Sequence, residues 1–218
     1  MIKFYNEYKS KNLLKEYGVP VGEYKLAASK EEAIEIAEDF GYPLVMKIVS
    51  DQIIHKTEAK GIKLNVQSAE EIGMFYEELI QNGKNYDPNA VIEGVIISKM
   101  VPSGIEVIIG ALRDQQFGPV VMFGLGGVFV EVFKDVEFRM APLTKHEAID
   151  LIKDIKAYSM LTGIRGMEPV NIDTLADVLV QIGKLIFENE NIMEIDLNPL
   201  ICYDGKIQAL DAVIGFQE

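Results

Sequence analysis

Asn198 and Asp211 lie in the run MEIDLNPLICYDGKIQALDAV, where Asp204-Gly205 between two apolar stretches is a strong signal for a two-residue hairpin turn. Reading Ile192–Val213 as that hairpin and counting outward pairs Tyr203 with Lys206, Ile201 with Gln208 and Asn198 with Asp211. Facing Cβ atoms in such pairs are about 5 Å apart. Glu194 and Asp196 add carboxylates to the same edge. Three acids and an amide gathered there repel one another unless a cation lies among them, and all-oxygen ligands suit Mg²⁺. The alternative is that these acids only solvate a hairpin edge.

Two further positions point to phosphate chemistry. Lys47 interrupts PLVMKIV, a strand otherwise apolar on both faces, so its ammonium must either snorkel to water or meet an anion such as a phosphate. His55, one of two histidines, follows in SDQIIHKTEAKG with Lys56 and Lys60 beside it. The two lysines would hold an anion near the ring, and a neutral imidazole is a competent nucleophile toward phosphorus. A surface or hydrogen-bonded structural histidine is the competing account. His146 falls in the first turn of a helix and is assigned no role, while Glu106 and Arg139 are charges in strand-like apolar contexts. The glycines at 124–127 match neither phosphate-loop pattern, since no Gly-Lys-Ser/Thr follows and Phe129 takes the third glycine position of G-x-G-x-x-G. They read as a tight strand connection.

These residues need a scaffold, and the pattern alternates helices with strands. A helix ends at Gly18 before Pro20, and a strand is expected at Tyr24–Ala27. Ser29/Glu32 and Ser68/Glu71 have capping-box spacing, opening helices that run roughly to Phe40 and Gln81. Between these helices PLVMKIVS and GIKLNVQS read as partner strands, and AVIEGVIISKMV as another. After Val101-Pro102-Ser103-Gly104, strands are expected at Ile105–Arg113, Val120–Phe123, Val128–Phe133 and Val136–Met140. Thr144/Glu147 opens a helix with the stripe Ala148, Leu151, Ile152, Ile155, Tyr158, and Leu175 to Ile186 forms another stripe before the acidic hairpin. The expectation is an α+β chain of two lobes, 1–101 and 102–218, with a ligand cleft between them.

Composition sets limits on the role. The 218 residues are 49% hydrophobic and 25% charged, which is a globular balance. Net charge is −13, from 34 acids and 21 bases, which argues against sequence-independent binding to nucleic acid or an anionic membrane. The longest apolar stretch, Phe117–Val130, holds four glycines and a proline and is too short to span a bilayer as a helix. The amino terminus, MIKFYNEYKSKN, is polar and unlike a signal peptide. Cys202, the single cysteine, excludes an internal disulfide and fits a reducing cytoplasm.

Taken in order, LLKEYGVPV, PLVMKIVSDQIIHKTEAKGI, SKMVPSGIEVIIG, FGLGGVFVEVFKDVEFRMAPL, GIRG, EIDLNPL and ALDAV resemble an ATP-grasp domain. The resemblance is specifically to β subunits of ADP-forming acetyl-CoA synthetases, relatives of succinyl-CoA synthetase, and it spans nearly the whole chain. It implies an ATP-grasp fold whose Lys47 contacts the nucleotide phosphates. Lys99, Met100 and Val101 then match the hinge whose backbone reads adenine, and Glu106 the acid beyond it. Asn198 and Asp211 match the Mg²⁺ ligands, and His55 matches a phosphohistidine. The implied reaction is ATP + carboxylic acid + CoA ⇌ ADP + phosphate + acyl-CoA. The implied partner is an α subunit carrying the CoA-binding and ligase domains, in a heterotetramer of two α and two β chains. Relatives usually have a glycine pair after the histidine where this chain has Lys60-Gly61. The competing expectations are another ATP-grasp carboxylate ligase, and a nucleotide-sensing subunit without catalysis.

Overall fold

Strand β3 (Leu44–Val49) is flanked in an antiparallel sheet by β5 (Gly94–Lys99) and β4 (Ile62–Val66), with β2 (Tyr24–Ala27) on the far side of β5. The computed structural model describes residues 2–127, 135–163 and 168–217. Its chain divides into two compact units. One contains residues 6–9 and 22–101, the other residues 2–5, 10–21 and the described residues from 102 onward.

In the first unit, side-chain alternation decides what β3 offers to each face. Leu44 and Met46 join Val66, Val95 and Ile97 in a core covered by α2 (Lys30–Phe40) and α3 (Ala69–Tyr86). Lys47 therefore points to the opposite face, away from that core. Ser29 and Ser68 accept the N–H of Glu32 and Glu71, as their spacing predicts. The two glutamates, however, reach one residue too far, to the N–H of Ala28 and of Gln67. Only at Thr144, among the described residues, do cap and glutamate bond reciprocally. Helix α3 also runs past Gln81 to Tyr86, because Gly83 lets its last turns lie directly on Ile48.

The second unit is built on the sheet β1 (Ile2–Tyr5), β11 (Val213–Gln217), β9 (Ile192–Tyr203), β6 (Ile105–Asp114), β7 (Gly118–Leu125), β8 (Val136–Met140), with β10 (Lys206–Ala209) paired to β9. The buried cross-strand sets Val107/Leu125, Ile109/Phe123 and Ala111/Val121 line one face. Helix α6 (Ile172–Glu188) covers β6, β7 and β9 with Leu175, Leu179, Ile182 and Ile186. Helix α4 (Lys145–Asp154) packs on α6 and stops at Ile155, so Tyr158 belongs to a separate short helix, α5 (Tyr158–Leu161).

The chain passes from one unit to the other after Val101, and its amino end is divided between the two. Residues 2–5 and 10–21 group with the later part of the chain because β1 pairs antiparallel with β11, from Ile2 opposite Gln217 to Tyr5 opposite Ile214. Helix α1 (Glu7–Glu16) is consequently shared, its first turn belonging to one unit and the rest to the other. The strand expected at Val128–Phe133 and residues 164–166 of the GIRG motif lie outside the described residues.

Candidate functional site

Lys47 is almost wholly buried, and the anion it meets belongs to the chain itself. Its Nζ lies 3.0 Å from Oε1 of Glu7, while Nζ of Lys56 lies 3.2 Å from Oε2 of the same carboxylate. Side-chain exposure is 9% for Lys47, 5% for Lys56 and 0% for Glu7, so all three charges are held away from water. Burial of this kind is tolerable only where opposite charges meet. The expectation that Lys56 holds an anion beside the His55 ring is corrected accordingly, because its ammonium turns inward to Glu7. Sequence reasoning passed over Glu7; the available signal was an acid in the first turn of a helix entering the same unit as two strand-associated lysines.

His55 itself is exposed, on the segment between β3 and β4. That segment is fastened on either side of the histidine. Asp51 accepts the N–H and the side-chain amide of Asn6 at 3.2 and 2.8 Å, and pairs with Lys9 at 2.7 Å. Ile53 and Ala59 are buried with Ile48 in a small cluster that Ala90 and Ile92 complete. Lys60, where the resemblance leads one to expect a glycine, has φ +50°. The backbone thus holds a left-handed conformation suited to glycine although a lysine occupies it. Its carbonyl accepts the side-chain amide of Asn82 at 3.0 Å.

The hinge residues follow β5. Lys99 is ion-paired with Glu23 at 2.8 Å on the surface, and Met100 donates its N–H to the Pro43 carbonyl at 3.1 Å. Val101 is half-buried.

In the other unit, the hairpin has the expected register. Tyr203 faces Lys206, and Ile201 faces Gln208. Asp204 and Gly205 both have positive φ, +46° and +69°, as a two-residue turn of type I′ requires. Leu200 faces Ala209 and, farther out, Asp196 faces Val213 in the same register. The intervening count puts Asp211 opposite Asn198, with the Leu210 N–H donating to the Pro199 carbonyl at 2.9 Å between them. Toward β6 the register shifts between Val107 and Ile109, so Asn198 and Pro199 share a bulge facing Ile108. Bulges re-aim side chains at the rims of sites.

Alternation places Glu106, Glu194 and Asp196 on the sheet face away from α6. The Glu106 carbonyl accepts the Gly126 N–H at 2.8 Å, and a Cβ on Gly126 would crowd the Glu106 backbone, which explains the glycine there. Burial, then repulsion from Asp211 and Glu194, holds the Asp196 carboxyl above its ordinary range although the residue keeps solvent exposure. Among the described residues, no three acidic, imidazole or thiol side chains form a metal cage on their own. One or two protein ligands completed by phosphate oxygens and water is how Mg²⁺ is ordinarily held, and the surplus of carboxylate charge suits a divalent cation. Arg139 bonds Asp154 of α4, and exposed His146 lies near Asp150, so both have structural accounts. Cys202 is buried and its thiol is pushed up to about 12.

Comparison with known proteins gives this geometry a family. The β subunit of the ADP-forming acetate–CoA ligase I of Pyrococcus furiosus is 52% identical over 206 residues, covering 94% of this chain and 89% of that one. An acetyl-coenzyme A synthetase 1 of Ca. Korarchaeum cryptofilum, solved with CoA, acetyl-CoA and a phosphorylated phosphohistidine segment in its site I orientation, superposes with a TM-score of 0.90 at 48% identity. That match covers 99% of this chain and 94% of the other. The same enzyme with CoA and Mg-AMPPCP, its phosphohistidine segment pointing toward the nucleotide site, gives a TM-score of 0.84 at 45% identity over 97% and 92% of the two chains. The family model for the ATP-grasp domain matches residues 3–216, and with that span and those identities the chain belongs to the ATP-grasp family.

Proposed function

We propose that this chain is the nucleotide-binding, phosphoryl-transferring β subunit of an ADP-forming acetyl-CoA synthetase, an acid–thiol ligase. The reaction is ATP + carboxylic acid + CoA ⇌ ADP + phosphate + acyl-CoA, through a phosphohistidine. The observation that carries this reading is His55, exposed on a segment fastened on both sides, in a chain 52% identical to such a β subunit.

In this reading a ring nitrogen of His55 attacks the γ-phosphorus of ATP. The N–P bond forms, the bond from phosphorus to the β,γ-bridging oxygen breaks, ADP leaves, and the ring sheds its N–H proton. Lys47 offsets phosphate charge, and its fixed position lowers the reorganisation needed at the transition state. At the hinge, the Met100 N–H is already bonded to Pro43, which leaves the Val101 N–H as the donor to the adenine edge, with Lys99 and Met100 shaping the approach. Glu106 faces the nucleotide from beyond the hinge. Asn198 and Asp211 hold Mg²⁺, which when bound neutralises the phosphate oxygens. His55 then turns between the nucleotide and the partner, as the two orientations of the relative's segment suggest.

The partner is an α subunit with the CoA-binding and ligase domains, in a heterotetramer of two α and two β chains. The setting is the cytoplasm, in keeping with one buried free thiol and with the lack, among the described residues, of a helix able to cross a membrane.

The test is incubation of the purified chain with γ-labelled ATP and Mg²⁺, with and without the α subunit, against His55→Ala. An acid-labile, alkali-stable label that the substitution abolishes is expected. A label that survives His55→Ala would instead support a ligase working through acyl phosphate alone. Tight ATP binding with no label under any condition would identify a sensing subunit.

A further inference from the structure

We propose that Glu7 is a positioning residue of the phosphoryl-transfer site, whose buried carboxylate holds Lys47 on one oxygen and, through Lys56 on the other, latches the His55 segment in the position described. The inference rests on the reading of His55 as a phosphoryl carrier.

The two contacts are 3.0 Å to Lys47 and 3.2 Å to Lys56, with Glu7 fully buried between them. One carboxylate therefore ties the lysine of the central strand to the residue adjoining the histidine. Asp51 supplies a second tie to the same helix turn, through Asn6 and Lys9. Between those ties His55 is left exposed, and Ile53 inserts into the cluster around Ile48. A segment held in this way stays in place as long as the Lys56 ammonium stays buried, because leaving means breaking a desolvated ion pair. Glu7 keeps Lys47 as a partner when Lys56 departs, so the carboxylate is not stranded and the latch is reversible. That asymmetry suits a carrier: the nucleotide lysine stays fixed while the histidine's neighbour is the contact that lets go. Glu7 thus acts through its two lysines and does not itself touch the reacting atoms.

Lys56→Met removes the latch while leaving the Glu7–Lys47 pair, and a buried methionine replaces the lysine stem with little change in length. Hydrogen exchange on the full-length chain without nucleotide reads the result directly. Amides from Asp51 to Gly61 are expected to exchange roughly tenfold faster, equivalent to about 1.4 kcal/mol, with those of α6 unchanged. In Glu7→Gln the same segment loosens, and combining the two substitutions adds little more. Exchange in 51–61 that is unchanged, or faster only in step with α6, would overturn the latch. Labelling of His55 from γ-labelled ATP is measured alongside. Loss of label in the unaltered chain counts against the carrier reading, whereas the exchange comparison judges the latch by itself.

Discussion

Lys60 holds a φ of +50°, a conformation that costs a side-chain-bearing residue about 1–2 kcal/mol and that glycine adopts freely. Part of that cost returns as the greater chain entropy a glycine would lose on folding. Lys60→Gly is therefore expected to stabilise the chain by roughly 0.5–1 kcal/mol, seen as a higher urea midpoint with an unchanged slope. A lower midpoint would mean that the lysine side chain makes a contact worth more than the backbone strain. The substitution also removes the Lys60 ammonium without requiring a new backbone shape. Whether a departure from a family pattern alters shape or only chemistry depends on the dihedral angle, which the sequence does not carry.

The β9–β10 hairpin was legible because its determinants are local. Asp204-Gly205 demands two left-handed residues, and the turn fixes the register from Tyr203 opposite Lys206 to Leu200 opposite Ala209. Gly205 has open space around its Cα, so Gly205→Ala meets no clash and its cost is conformational alone. A loss of about 1 kcal/mol is expected, measured by thermal melting followed by circular dichroism. Capping spacings were legible for the same reason, as Ser29, Ser68 and Thr144 each bond within three residues. What could not be read locally were the long-range partners. Strand β1 meets β11 across the length of the chain, and Glu7 meets Lys47 at a separation of 40 residues. The sequence posed the right question about Lys47, whether it finds water or an anion. It could not show that a carboxylate at the amino end was waiting.

At the scale of the molecule, the chain passes between its two units at residues 5/6, 9/10, 21/22 and 101/102. A fragment of residues 22–101 contains every strand and both long helices of its unit yet lacks Glu7. Its buried lysines lose a carboxylate whose removal from a desolvated pair typically costs about 3–5 kcal/mol. We expect this fragment to be poorly ordered by circular dichroism and a fragment of residues 6–101 to be better folded. Equal order in the two would show that the ion pairs contribute little to folding.

The same interleaving bears on how such proteins exchange parts. A crossover near Val101 keeps Glu7 with both lysines but parts residues 2–5 and 10–21 from the later stretch with which they group, whereas a crossover between residues 10 and 21 parts Glu7 from Lys47 and Lys56. Chimaeras that keep residues 6–9 and 22–101 from one parent preserve both the pocket for the lysines and the anchor of the histidine segment. Those that split them join a carboxylate selected in one lineage to lysines selected in another. The set of residues that must be inherited together to keep these buried ion pairs is thus discontinuous along the gene although it is compact in space.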